Sequence, residues 1–271
     1  MSDNWDFYFA NVGGVVSSLL VNLGIRDSIP DPQRPWLLWG CVYFPEPSDD
    51  GYTISEEDEA SILCRIEEAL TQAVKESTEA ELVGRITSDS RREFYFYGPR
   101  LDGFEEAVAK TLESFPAYQY KVGSREDHDW SHYLNVLYPT PEERELIENR
   151  HVVEKLEGYG DSLQAPRPVS HWIYFRSSED RSKFVAAALN SGFSVIEQAE
   201  APDEDTKYPY GVEVQRVDHV DWDSINDVTL HLFRLAKYVG GKYDGWETSV
   251  VKENQIDLPF ASANNRNGYL E

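Results

Sequence analysis

Short apolar runs alternate with amphipathic helical stripes along this chain, and that alternation restricts it to architectures in which helices cover a sheet. Trp36 to Phe44 is a continuous apolar run, the mark of a strand covered on both faces. A helical stripe follows over 56–77 (Ile62, Leu63, Ile66, Ala69, Leu70, Ala73, Val74), opened by Ser55 as a cap. Strand-like runs near 79–88 and 92–98 turn about Ser88 to Arg91. A second helix opens at Asp102-Gly103, and Tyr118 to Val122 closes the set. Ahead of it, Trp5 to Val12 and Val15 to Leu23 flank Gly13-Gly14, a hairpin signal. Tyr133 to Leu137 reads as a further strand, and Pro141 starts a third helix that stops at Gly158-Tyr159-Gly160.

The same order returns downstream. Val169 to Phe175 is a strand and Ser178 to Leu189 a helix ended by Asn190-Ser191-Gly192. Phe193 to Glu197 and Tyr210 to Val217 are strands, 221–239 a helix, and Lys242 to Val250 a closing strand. The sequence β-α-β-β-α-β is the split β-α-β, or ferredoxin-like, arrangement: an antiparallel sheet with both helices on one face and the other face left for a partner. Asp161 to Pro168, with two prolines and little to bury, reads as a linker. The expected organisation is α+β in two domains. They are a first domain over 1–160 with a similar sheet plus the N-terminal hairpin, a ferredoxin-like domain over 161–252, and a polar tail over 253–271.

Composition narrows the function. The 271 residues carry 25 Lys and Arg against 49 Asp and Glu, a formal charge of −24. Such a chain is repelled by phosphate backbones and anionic membranes, so direct nucleic-acid binding and membrane docking are not expected. The excess lies mainly in the first 160 residues, with 14 basic and 31 acidic side chains. No run approaches a membrane span, and MSDNWDFYF lacks the basic and apolar regions of a signal peptide, so a cytoplasmic protein is expected. Cys41 and Cys64 form no metal or disulfide spacing and read as buried reduced thiols.

Chemistry-bearing motifs are sparse. His128 and His132, spaced i, i+4 among Glu126, Asp127 and Asp129, would share one face of a helix as a metal site needs, but the segment reads as a loop entering a strand. A metal-dependent enzyme built on these residues is the rival reading. Nothing spells a nucleophile elbow, a dinucleotide fingerprint or a phosphate loop, so no cofactor is expected. Arg85, Arg91 and Arg92 read as balancing local acids. Tyr95 and Tyr97 could stack bases, yet packing is the simpler role.

Val239-Gly-Gly-Lys-Tyr-Asp-Gly-Trp-Glu247 is the most distinctive string. A glycine in a strand signals a bulge, and a tryptophan beside it is an anchor toward the core or a partner. With Ser170 to Phe175 and the turn at Gly192-Phe193, it makes 161–252 resemble the regulator of ribonuclease activity B (RraB) family. The resemblance implies a small ferredoxin-like, non-catalytic module. Such a module binds and inhibits the endoribonuclease that organises RNA decay, an acidic surface meeting a basic scaffold region. Asp244 and Trp246 are then expected to contact the partner or shape the contact surface, with Asp203, Glu204 and Asp205 as a second contact. Residues 1–155 resemble a bacterial domain of unknown function that often precedes such a module. The resemblance rests on WDFYFANV (5–12), PWLLWGCVY (35–43), VGRITSDSRREFYFY (83–97) and DWSHYLNVLYPTPEERELIENR (129–150).

Overall fold

A computed structural model describes residues 3–45, 56–200 and 207–252. The chain forms two compact units, divided at Ile147/Glu148. Asp203 to Asp205 and the expected tail lie outside the described residues.

In the first unit, β1 (Trp5–Val12) and β2 (Val15–Asn22) form the hairpin, with Val12 paired to Val15 across Gly13-Gly14. Then come β3 (Trp36–Tyr43), α1 (Glu56–Thr78), β4 (Glu81–Ser88), β5 (Arg91–Gly98), α2 (Phe104–Leu112) and β6 (Tyr120–Glu126). All pairings are antiparallel, in the order β1-β2-β4-β5-β3-β6. The four strands after the hairpin obey the split β-α-β rule, because each helix connection skips one strand.

Alternation along β3 sends Leu38 and Val42 to one face and Leu37 to the other. The first face packs on Leu63, Ile66, Leu70 and Val74 of α1 and Phe104, Val108 and Leu112 of α2. The second packs on Trp130, Tyr133 and Leu137, which explains the unbroken apolar run in β3.

Tyr133 to Leu137 is a π-helical turn rather than the strand its alternation suggested. Asp127 sets this outcome. Its carboxylate accepts from the backbone N–H groups of Ser131 (3.0 Å) and His132 (2.9 Å), capping a helical start. Tyr133 and Leu137, four apart, then face the core together. β6 likewise runs beyond the expected Val122, because Gly123 to Glu126 continue the ladder on β3. Cys41 is buried as expected, whereas Cys64 is exposed on the outer side of α1, between the inward positions Leu63 and Ile66.

The helix α3 (Pro141–Gly158) follows, with the division between units falling inside it. That division lies upstream of the boundary expected at 160/161. Val153 and Leu156 of α3 pack with Leu163, Val169, Val220, Ile225 and Trp246, so the end of the helix belongs to the second core.

The second unit continues with β7 (Arg167–Phe175), α4 (Ser178–Asn190), β8 (Ser194–Glu200), β9 (Tyr210–Asp218), α5 (Trp222–Tyr238) and β10 (Lys242–Thr248). Its antiparallel sheet has the order β10-β7-β9-β8, the same connectivity as β6-β3-β5-β4. Ser177 and Asp221 cap α4 and α5 by accepting from the N–H groups of Asp180 and Ser224, each at 3.1 Å. Ile173, Phe175, Val212 and Val214 meet Phe184 and Ala188 of α4 and Val228, Leu232 and Ala236 of α5.

Candidate protein-binding face

The closing strand departs from simple alternation. Its register on β7 shifts between Tyr243 and Gly245, leaving Asp244 as the extra residue of a bulge. Gly245 sits at φ +129°, a conformation side chains resist, so the glycine is a backbone requirement. The extra residue lets Tyr243 and Trp246, three apart, both point into the core.

Trp246 is 9% exposed, and its indole N–H donates to Asn149 Oδ1 at 2.8 Å. The Asn149 amide donates in turn to Thr229 Oγ1 (2.6 Å) and Asn226 Oδ1 (2.8 Å). The tryptophan is therefore an inward anchor that pins the closing strand to α3 and α5. Asp244 is exposed and accepts from Lys242 Nζ at 2.6 Å.

The segment expected as a linker is locked. Asp161 and Arg167 form a buried ion pair, bidentate, with side chains 0% and 3% exposed. The Asp161 carboxylate also accepts from the N–H groups of Leu163 (2.9 Å) and Val251 (2.7 Å), while Arg167 donates to the Ser249 carbonyl (3.1 Å). Hydrogen bonds from Arg167, outweighing the opposing effect of burial, hold the Asp161 carboxyl down to about 2. His171, wholly buried, faces the Tyr243 hydroxyl at 2.9 Å through Nδ1. Burial first, then Arg216, lowers it to about 3, so it stays neutral.

The register also defines the sheet face turned away from α4 and α5. One row across the strands reads Glu197, Glu213, Trp172, Gly245. The next reads Ser194, Gln215, Ser170, Glu247, with Gln215 donating to Ser170 Oγ at 3.0 Å. A third reads Ala199, Gly211, Tyr174, Lys242, where the Tyr174 ring lies over Gly211. Glu197 and Glu213 stand directly opposite each other, and no cation lies within ion-pair distance of either among the described residues. Like charges directly opposite each other weaken a ladder. Sequence reasoning missed Glu197, Glu213, Trp172 and Tyr174. Strict alternation of Ser170-His-Trp-Ile-Tyr-Phe175 was the signal that could have found the two aromatics.

The rival cluster in the first unit separates. His128 is exposed beside Glu126 (3.3 Å), in the turn before the helical segment, while His132 lies against the Tyr95 ring with centroids 4.4 Å apart. No three His, Cys, Asp or Glu converge as metal ligands among the described residues. Tyr97 is buried under Trp130 at a stacking distance of 3.9 Å and Tyr95 is 7% exposed, so neither ring can receive a base. Arg85 and Arg92 pair with Glu67, and Arg91 pairs with Glu93.

Residues 3–138, just over half of the chain, match DUF695, a family of unknown function. The chain belongs to the DUF695 family. This DUF695 chain also matches, over residues 146–248, the family described as regulator of ribonuclease activity B, RraB. The second match begins within α3, where the second compact unit starts. No curated protein matches the chain. Among solved structures, the crystal structure of an unknown protein from Galdieria sulphuraria aligns at 13% identity, covering 79% of this chain and 98% of that one, with a TM-score of 0.22. No helix among the described residues is long and apolar enough to cross a membrane.

Proposed function

We propose that this chain is a non-catalytic cytoplasmic regulator. Its RraB-like unit binds a basic scaffold segment of an RNase E-type endoribonuclease and so restrains RNA turnover. The facing carboxylates Glu197 and Glu213, uncompensated beside Trp172, carry the reading. A partner arginine could pair with both acids and stack on the indole. Asp244 extends the acidic rim from the bulge. Trp246 acts from inside, by fixing the strand that presents Gly245 and Glu247. The acidic stretch Asp203, Glu204 and Asp205 is a second point of contact. No cofactor is required.

The test is calorimetric titration of the full chain with the basic scaffold region of the nuclease, together with RNA cleavage by the purified enzyme. The expected result is saturable, salt-sensitive binding and slower cleavage. Glu197→Lys with Glu213→Lys should weaken binding at least tenfold, the scale of lost close charge pairs. A folded full chain that neither binds nor inhibits overturns the reading.

A further inference from the structure

A second site lies in the first unit, on the sheet face that carries Trp130 and Tyr133. A pocket of about 170 Å³ opens there, lined by Leu37, Trp39, Glu93, Tyr95, Arg125 and His132. The strand register explains its walls. Trp39 pairs with Tyr95 on one side and Gly123 on the other, and any side chain at Gly123 would collide with the indole. The glycine lets the ring lie flat across β6. His132 is placed by the Asp127 cap and rests on Tyr95.

The polar groups are unequal in what they still need. The Glu93 carboxylate is engaged by Arg91 at 3.5 Å and lies beside the Tyr95 hydroxyl, whose proton is held by burial first and by Glu93 next. Arg125 makes no ion pair among the described residues. His132 Nε2 is buried with no hydrogen-bond partner. Burial, helped by Arg125, lowers His132 to about 4, so at neutral pH it offers one N–H and no charge. Lys121, one row away beside Cys41, adds a further cation. The charges near the pocket are thus Arg91, Lys121 and Arg125 against Glu93 and the capping carboxylate of Asp127.

We propose that this pocket binds a small planar monocarboxylate, its carboxylate held by Arg125 and His132 Nε2 and its flat body lying against Trp39. The guanidinium fork matches a carboxylate in two parallel hydrogen bonds. Glu93 repels each added negative charge, so the doubly charged form of phosphate is disfavoured relative to a singly charged carboxylate. The volume, room for about five or six waters, is far below that of a nucleotide pocket.

The probe is benzoate, titrated into the full chain by calorimetry and saturation-transfer NMR, with inorganic phosphate and benzylamine as comparisons. Benzoate should bind with a Kd of about 1 mM or tighter. Phosphate should bind at least tenfold more weakly, and benzylamine should give no saturable signal. Arg125→Gln, at an exposed strand position, should weaken benzoate about tenfold or more, the scale of a charge-assisted hydrogen bond. His132→Phe keeps a flat ring against Tyr95 and should also weaken it. Glu126→Gln, on the opposite face of β6, should leave binding unchanged and controls for folding. Absence of saturable benzoate binding, phosphate binding as tight as benzoate, or an affinity indifferent to Arg125→Gln would each overturn the proposal.

Discussion

Replacing Asp161 with asparagine should cost the second unit more than any surface change. The side chain is fully buried, and it joins three points distant in sequence: Arg167 at the head of β7, Leu163 in the preceding turn, and Val251 just past β10. Asparagine keeps the shape, loses the charge, and turns an amide N–H₂ toward groups that themselves donate. The Arg167 guanidinium is left buried and uncompensated, a situation that costs about 3–5 kcal/mol. With a urea slope of about 2 kcal/mol per M, the transition of this unit should move down by about 2 M. A pH series isolates the electrostatic share. The folded carboxyl sits near 2, below its ordinary 3.8. The native state is therefore favoured by about 2 kcal/mol above pH 4, and this is lost as pH falls through 2. Asp161→Asn should lack that acid-side slope. Asp161→Leu with Arg167→Met removes both charges and should recover the cost of the orphaned guanidinium. The two backbone hydrogen bonds, worth about 1 kcal/mol each, would stay lost. The readout is far-UV circular dichroism during urea unfolding from pH 2 to 7. A loss below about 1 kcal/mol, or an unchanged acid slope, would refute the reasoning.

Trp246→Phe should cost about 1–3 kcal/mol through the unpaired Asn149 carbonyl, and Asn149→Leu should show the same loss in thermal melts. Gly245→Ala, forced to hold φ +129°, should destabilise by about 1–3 kcal/mol, again read by urea unfolding. Asp127→Ala strips the cap from Ser131 and His132 and leaves the buried Tyr97 hydroxyl without its 2.5 Å acceptor. It should cost about 2–3 kcal/mol and raise amide exchange over 131–137. Glu213→Gln should do the reverse, gaining about 0.2–1 kcal/mol by relieving Glu197 while weakening partner binding.

The paired sheets were legible because their signals are local. Apolar runs of strand length, stripes at helical spacing and Gly-containing turns sit where the elements form, and the hairpin at Gly13-Gly14 needed no tertiary information. Three features were hidden for one shared reason, in that polar side chains bonding beyond their own element decide them. Asp127 turned an alternating Tyr133 to Leu137 segment helical by capping it from the preceding turn. Asp161 and Arg167 made a proline-containing stretch part of a core although it has little apolar surface. Asn149 drew the end of α3 into the second unit by partnering an indole almost a hundred residues away. The string around Trp246 was recognisable, but the direction of its side chain depends on a bulge that spacing alone does not count. The facing glutamates needed a register between β8 and β9, which sequence pattern leaves unset.

The bulge at Asp244 works as a reading-frame shift for side chains. Upstream of it, odd-numbered residues face the helices, and downstream of it, even-numbered ones do. Deleting Asp244 would remove the bulge yet keep both rings inward, because Trp246 would then follow Tyr243 by two positions and could keep its pairing with His171. If Asp244 instead paired into the ladder, the two surfaces of the strand beyond it would be exchanged, expelling the indole and drawing Glu247 toward apolar packing. The bulge, not the identity of Asp244, thus sets which residues the core receives, and loss of Asp244 should be far less damaging than a second residue added to the paired ladder between Gly245 and Trp246.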